Sequence, residues 1–188
     1  MKSRSDYGRK AFQGSRGPQG RANPDEIDLC AVTVSDRAAI KKLVLDPEQE
    51  QFAGAVDAIF DDLQNSRYPD MQHPFAIVAR GKTVGFFILR EKEAVPDWAP
   101  CGVVTLHSVR ICRACQGKGY GRAGTDLAIS WVRQNRPDVR QLMLAVNERN
   151  VHAASVYLKA GFVDTGAIFR GPIGDQHILA FCIDHFGG

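Results

Sequence analysis

The run CRACQGKGYG, residues 112 to 121, separates two stretches with different hydrophobic periods. Before it, residues 102 to 111 (GVVTLHSVRI) are rich in β-branched side chains and read as one long strand. After it, Ala123, Leu127, Ala128, Trp131 and Val132 recur at helical spacing and predict a helix that ends near Pro137. Gly117, Gly119 and Gly121 therefore lie in a strand-to-helix connection, where glycine permits torsions that other residues resist and lets a ligand approach the chain. The first N–H groups of a helix have no partner within it, so they offer a seat to a phosphate or pyrophosphate, assisted by the positive end of the helix dipole. Lys118 and Arg122 add positive charge beside that seat.

Working outward, residues 27 to 34 (IDLCAVTV) predict a strand, and Ser35-Asp36 opens a helix to about Val44. From Pro47, a second helix carries Phe52, Ala55, Val56, Ile59, Phe60 and Leu63 at spacings of three and four, and Tyr68-Pro69 ends it. Residues 75 to 79 and 83 to 89 form a hairpin about Arg80-Gly81-Lys82. Beyond the glycine loop and its helix, residues 141 to 146 make a strand and 150 to 160 a helix closed by Gly161. Two last strands, 162 to 168 and 177 to 183, are joined through Gly171-Pro172-Ile173-Gly174. The order β, α, α, three β, α, β, α, β, β is that of a mixed α/β domain.

The 188 residues, 44% hydrophobic and 24% charged, suit a single globular domain. No apolar run is long enough to span a bilayer and no secretory signal precedes the first strand, so a cytoplasmic protein without a membrane partner is expected. Residues 1 to 24 place six positive side chains (Lys2, Arg4, Arg9, Lys10, Arg16, Arg21) against Asp6 in a glycine-rich context with almost nothing apolar. Such a stretch cannot offset the entropy of ordering itself, so residues 1–26 are expected to be a disordered basic arm and 27–188 the folded domain. Contact with nucleic acid is expected nowhere but through that arm. Cys30, Cys101, Cys112, Cys115 and Cys182 are odd in number and scattered, which predicts reduced thiols. Cys112 and Cys115 form a C-x-x-C pair without a second pair of similar spacing, so no metal is expected.

Two phosphate-binding patterns compete for the glycine loop. A nucleoside-triphosphate P-loop fails, because no lysine and hydroxyl follow the glycines in its frame. The dinucleotide pattern G-x-G-x-x-G is spelled literally by Gly119-Tyr120-Gly121-Arg122-Ala123-Gly124, with Glu148 at the end of the next strand. Against it, a dinucleotide fold begins with that turn, whereas here a hairpin-rich half precedes it.

Gln116-Gly117-Lys118-Gly119-Tyr120-Gly121 resembles the Q/R-x-x-G-x-G/A coenzyme A signature of the GNAT N-acetyltransferases. Residues 147 to 162, NERNVHAASVYLKAGF, are similar to a second segment of that family, matching at Asn147, Asn150, Ala153, Tyr157, Lys159, Gly161 and Phe162. The resemblance covers about residues 27 to 184, most strongly in the second half. It implies an α/β fold with a mixed, mostly antiparallel central sheet of about six to seven strands and about four helices. It also implies an N-acetyltransferase with acetyl-coenzyme A as cosubstrate. The cofactor would be held by main-chain amides of Val109, Arg110 and Ile111, by the loop from Gln116 to Arg122 (Gln116, Gly117, Lys118, Gly119, Tyr120, Gly121, Arg122), and near Asn150.

At ~100° per residue, Asn150 and Tyr157 return to one helix face with the small Ala153 and Ala154 between them. The resemblance places the Tyr157 hydroxyl near the thioester sulfur, where it would donate to the departing thiolate. It places His107 where relatives carry an acidic base, and an imidazole with a pKa near ~6.5 suits proton removal at neutral pH. Acceptor choice falls to the first helices and the loop after the third strand, which contain Asp57, Asp61, Asp62, Tyr68, Asp97 and Trp98. These could welcome a cationic amine such as a polyamine, while small amines, amino acids and peptide amines stay open. A dinucleotide-dependent oxidoreductase and a nucleic-acid-associated module are the rival functions, and the oligomeric state, a homodimer included, is left open.

Overall fold

The computed structural model describes residues 27–184; the predicted basic arm, 1–26, lies outside them, as do 185–188. Seven strands form one sheet in the order β1-β2-β3-β4-β5-β7-β6. They are β1 (Ile27–Ala31), β2 (Gln72–Ala79), β3 (Lys82–Glu91), β4 (Val104–Ile111), β5 (Gln141–Asn147), β6 (Val163–Gly171) and β7 (Gly174–Cys182). All neighbours run antiparallel except β4 and β5. This is the mixed, mostly antiparallel sheet expected from the sequence, and it is not the doubly wound parallel sheet of a dinucleotide fold.

Helices α1 (Arg37–Ile40) and α3 (Val56–Asn65) cover one face, α4 (Tyr120–Asn135) and α5 (Val151–Lys159) the other, and α2 (Pro47–Ala53) lies beside β4. Both faces are therefore apolar, and adjacent residues of β3 alternate between two buried layers. Phe87 and Leu89 pack with Trp131 and Val132 of α4, whereas Phe86 and Ile88 pack with Ile40, Ile59 and Phe60. Helix α4 approaches the sheet closely because it carries Gly124: a Cβ there would lie 2.4 Å from Ile77 Cδ1.

Two helices differ from expectation. The first is a single turn, preceded by a 3-10 turn (Val34–Asp36) whose start Thr33 secures by donating its N–H to Asp36 Oδ2 at 2.8 Å. The second is broken: Gly54, at φ 81°, ends α2, and Ala55 is extended before α3 begins. The apolar spacing runs through that break, which is why it was invisible in the periodicity. The Gly54 carbonyl is turned to accept from the Arg110 guanidinium.

At the far end of the sheet, the buried Glu91 joins three elements. It accepts from Arg136, at the end of α4, at 2.6 Å and meets His73 of β2 at 2.8 Å, while Arg136 lies 4.9 Å over the Trp131 ring. Burial would raise the Glu91 pKa, but the hydrogen bonds from Arg136 and His73 outweigh it and hold the carboxyl below its ordinary range. Removing one member of such a partly buried pair strands the other. Glu91→Ala is expected to cost about 2 kcal/mol of unfolding free energy, read from urea melts.

Candidate active site

Strands β4 and β5 pair only at Val104↔Leu142 and Thr105↔Met143, then part. From Leu106 onward, the main-chain groups of β4 that point away from β3 have no strand beside them. A β-bulge lies at this point: Phe86 and Ile88 on β3 oppose Arg110 and His107, leaving one extra residue in β4, and Ser108 takes a φ of 52°. A cavity of about 650 Å³ fills the gap, lined by Leu106 to Ile111 on one side and Leu144 to Asn147 on the other.

One end of this cavity is the glycine loop. Gly117 and Gly119 have φ of 73° and 83°, and a Cβ on either would meet nothing within 4 Å. Gly119 is the residue before α4; no side chain caps that helix start and no acidic residue stands in its first turn. The opening N–H groups of a 16-residue helix are thus free to receive an anion. Gln116 anchors the loop: its amide donates to the Ile111 carbonyl at 3.0 Å and to Gln49 of α2 at 2.8 Å. Arg122 lines the cavity while bonded to Asp126 at 2.9 Å and to the Lys159 carbonyl. Lys118 does not line it; its ammonium donates to the Ala114 carbonyl at 2.9 Å. The remaining cofactor-binding residues expected from the sequence, Val109, Arg110, Ile111, Gly117, Gly119, Tyr120, Gly121 and Asn150, all do.

Helix α5 forms the opposite wall. Asn150 begins it, accepting from the Ala153 N–H at 3.2 Å, so its carbonyl is committed to the cap. Tyr157 is buried to 8% exposure and packs against Phe162 at 5.9 Å between ring centroids. Its ring lines the cavity, and burial raises the phenol pKa, so the hydroxyl keeps its proton at neutral pH.

His107 lines the cavity on β4, hydrogen-bonded through Nε2 to the Thr105 hydroxyl at 2.7 Å and with Trp98 6.5 Å away. Burial, with the nearby Arg90 charge, pushes its pKa down to about 3. This corrects the expectation of an imidazole titrating near neutrality: His107 stays neutral and is a weak proton acceptor.

The acceptor end also differs from expectation. Among the described residues, no aspartate or glutamate lines this cavity. Asp57 is held by Arg37 and Lys41, both at 2.7 Å, and Asp61 by Arg37 at 2.8 Å, which fastens α1 to α3. Asp97 is exposed, and Asp62 and Tyr68 border a neighbouring polar hollow that shares Arg90 with the main cavity. Of the residues considered from the sequence, only Trp98 faces the main cavity there.

Several wall residues gave no sign in the sequence. Arg90 comes from β3, Phe52 and Gly54 from the broken helix, and Phe169, Ile173 and Gln176 from the last hairpin. Arg149 joins two of these walls, lying 5.7 Å over the Phe52 ring and donating to the Ile173 carbonyl at 3.3 Å. Arg110, beneath the cavity, is 2% exposed and held by Glu50 at 3.3 Å. Its charge at that position was legible, but its partner 60 residues earlier was not.

Comparison with known proteins agrees with this geometry. The family model described as Acetyltransferase (GNAT) family matches residues 36–162. An uncharacterised N-acetyltransferase, YbbJ, of Bacillus subtilis (strain 168) is 34% identical over 111 residues, 57% of this chain and 69% of that protein. A spermine/spermidine N(1)-acetyltransferase of the same strain is 26% identical over 146 residues, 77% of this chain and 93% of that protein. The solved aminoglycoside acetyltransferase AAC(6')-Ib, in complex with coenzyme A, superposes with a TM-score of 0.71 at 19% identity, covering 86% of this chain and 97% of that one. With the open glycine loop leading along a parted strand edge to a protonated tyrosine, the chain belongs to the acetyltransferase (GNAT) family and is an N-acetyltransferase.

Proposed function

We propose that the enzyme transfers the acetyl group from acetyl-coenzyme A directly to a primary amine, without an acyl-enzyme intermediate. The observation that carries this reading is that one continuous cavity contains the uncapped start of α4, the unpaired edge of β4 and the Tyr157 ring. The diphosphate rests on amides between Gly117 and Arg122, with the arm and thioester running along Val109 to Ile111. Main-chain N–H groups of that edge polarise the thioester carbonyl, where negative charge grows during attack. The neutral amine forms the new C–N bond, the C–S bond breaks, and Tyr157 gives its proton to the leaving thiolate and regains one through water. The proton lost by the nitrogen leaves through water, because no carboxylate among the described residues lines the cavity and His107 is too weak a base to hold it. His107 instead positions the acceptor by hydrogen bonding.

This assignment fixes a pH dependence. With a pKa pushed to about 3, His107 keeps one charge state through the neutral range, so it does not set the acidic limb of kcat/KM. His107→Gln is expected to lower kcat/KM while leaving the position of that limb unchanged. A limb that vanished in the variant would restore histidine as the base.

The five cysteines are free thiols, and no helix among the described residues is long and apolar enough to cross a membrane. These support a reducing, cytoplasmic setting. The reading is tested by incubating the enzyme with acetyl-coenzyme A and a panel of primary amines, detecting free thiol and acetylated product by mass. Product with at least one amine, with one thiol released per acetyl group, is expected. Absence of product across the panel, together with no stabilisation by coenzyme A, would refute it.

A further inference from the structure

Three arginines line the main cavity, Arg90, Arg110 and Arg122, and no acidic residue among those described balances them there. Two are engaged: Arg110 by Glu50 and Gly54, and Arg122 by Asp126 and the Lys159 carbonyl. Arg90 is different. Its guanidinium forms no ion pair among the described residues, and its Nε, like that of Arg110, is buried without a hydrogen-bond partner. It sits on β3 opposite Thr105, on the sheet face it shares with His107, and so at the other end of β4 from the glycine loop. Arg90 also borders the polar hollow that Asp62 and Glu93 line; Asp62 acts on it through space, and neither carboxylate forms an ion pair with it.

A half-buried guanidinium without an ion pair is stabilised by a carboxylate, which accepts two of its N–H groups in a planar, two-toothed pair. On the side of the main cavity a cationic group would meet a like charge and a neutral imidazole, with no carboxylate among the described lining residues to offset its desolvation. We infer that the acceptor is an amine that also carries a carboxylate, an amino acid or a compound built like one, and that Arg90 is its specificity-determining anchor. This rests on the acetyl-transfer reading above. It also sets this enzyme apart from the named spermine/spermidine relative, since a polyamine offers Arg90 nothing to bind. Trp98 and Pro96, on the cavity wall near His107, supply apolar surface for the remainder of such an acceptor.

The test is kinetic, at saturating acetyl-coenzyme A, on matched acceptors: an L-amino acid, its methyl ester and the corresponding decarboxylated amine, with spermidine beside them and several side chains sampled. The free acids are expected to exceed their esters and amines in kcat/KM by at least about tenfold. Arg90→Met should remove that difference by raising KM for the acids, with kcat moved far less. Spermidine or the decarboxylated amines matching the acids in the wild type would overturn the inference, as would an Arg90→Met variant that weakens acids and esters alike.

A second arm needs no turnover. Thermal stability of the coenzyme A-saturated enzyme should rise further with N-acetyl amino acids and not with N1-acetylspermidine; the reverse order would also overturn the proposal. Loss of any response to coenzyme A itself would instead strike the acetyl-transfer reading. If Arg90→Met fails to fold, Arg90→Lys carries the comparison. It keeps the charge but loses the paired geometry, and a narrowed preference for acids is expected.

Discussion

Replacing Tyr157 by phenylalanine is expected to lower kcat about a hundredfold while coenzyme A binds nearly as before. The ring is held by burial and by Phe162 at 5.9 Å, and phenylalanine preserves both, so the change removes an oxygen and its proton and little else. Burial has already raised the phenol pKa, which keeps the proton in place until a thiolate forms beside it. A weaker leaving group should then suffer more. Acetyl thioesters of more acidic thiols ought to lose less in the variant, because their thiolates need less help. An unchanged kcat would remove the acid role and leave Tyr157 as a wall of the cavity.

The second large effect concerns charge at the glycine loop. Gly119→Asp is expected to weaken coenzyme A binding about a hundredfold, since a carboxylate ~5 Å from a phosphate costs roughly 3 kcal/mol at an effective dielectric of 20. The comparison that isolates this is Gly119→Asn. Both side chains tolerate the left-handed backbone that Gly119 occupies at φ 83°, and both enter a space where a Cβ meets nothing within 4 Å. They differ in charge, so the asparagine variant should bind far better than the aspartate variant, and the gap should shrink as salt rises. Equal loss in both would mean that steric filling, and not an anion on the helix start, governs the loop.

Those two sites were the most legible parts of the sequence, and for a physical reason. The glycine loop and the segment from Asn147 to Phe162 are local: their geometry follows from neighbouring residues, with glycine permitting φ near 80° and Asn150 capping the helix that carries Tyr157. Period-2 and period-3.6 patterns likewise located seven strands and helices α4 and α5, within a few residues at their ends. The break at Gly54 escaped because Val56, Ile59 and Phe60 keep helical spacing beyond it, while Phe52 turns to the cavity instead of the core.

What could not be read was whatever long-range packing decides. Asp57 and Asp61 looked like a surface for a cationic amine, but the partners that consume them, Arg37 and Lys41, become neighbours only when α1 and α3 fold together. His107 carried the ordinary promise of a neutral-range base until its surroundings were known; burial and the charge of Arg90, from the neighbouring strand, reverse that. Arg90 itself is an unremarkable strand residue in one dimension. Its meaning lies in its place between the main cavity and the hollow of Asp62 and Glu93, with an ion pair to neither carboxylate, which is a property of three dimensions alone.

The central claim is that main-chain amides between Gly117 and Arg122 hold the diphosphate of the cosubstrate. Hydrogen–deuterium exchange of the full chain, with and without saturating coenzyme A, reads those amides directly. At least about tenfold slower exchange is expected in peptides spanning 116 to 124, with protection extending to the end of β4. Coenzyme A that binds by calorimetry yet leaves exchange at those residues unchanged would contradict the account.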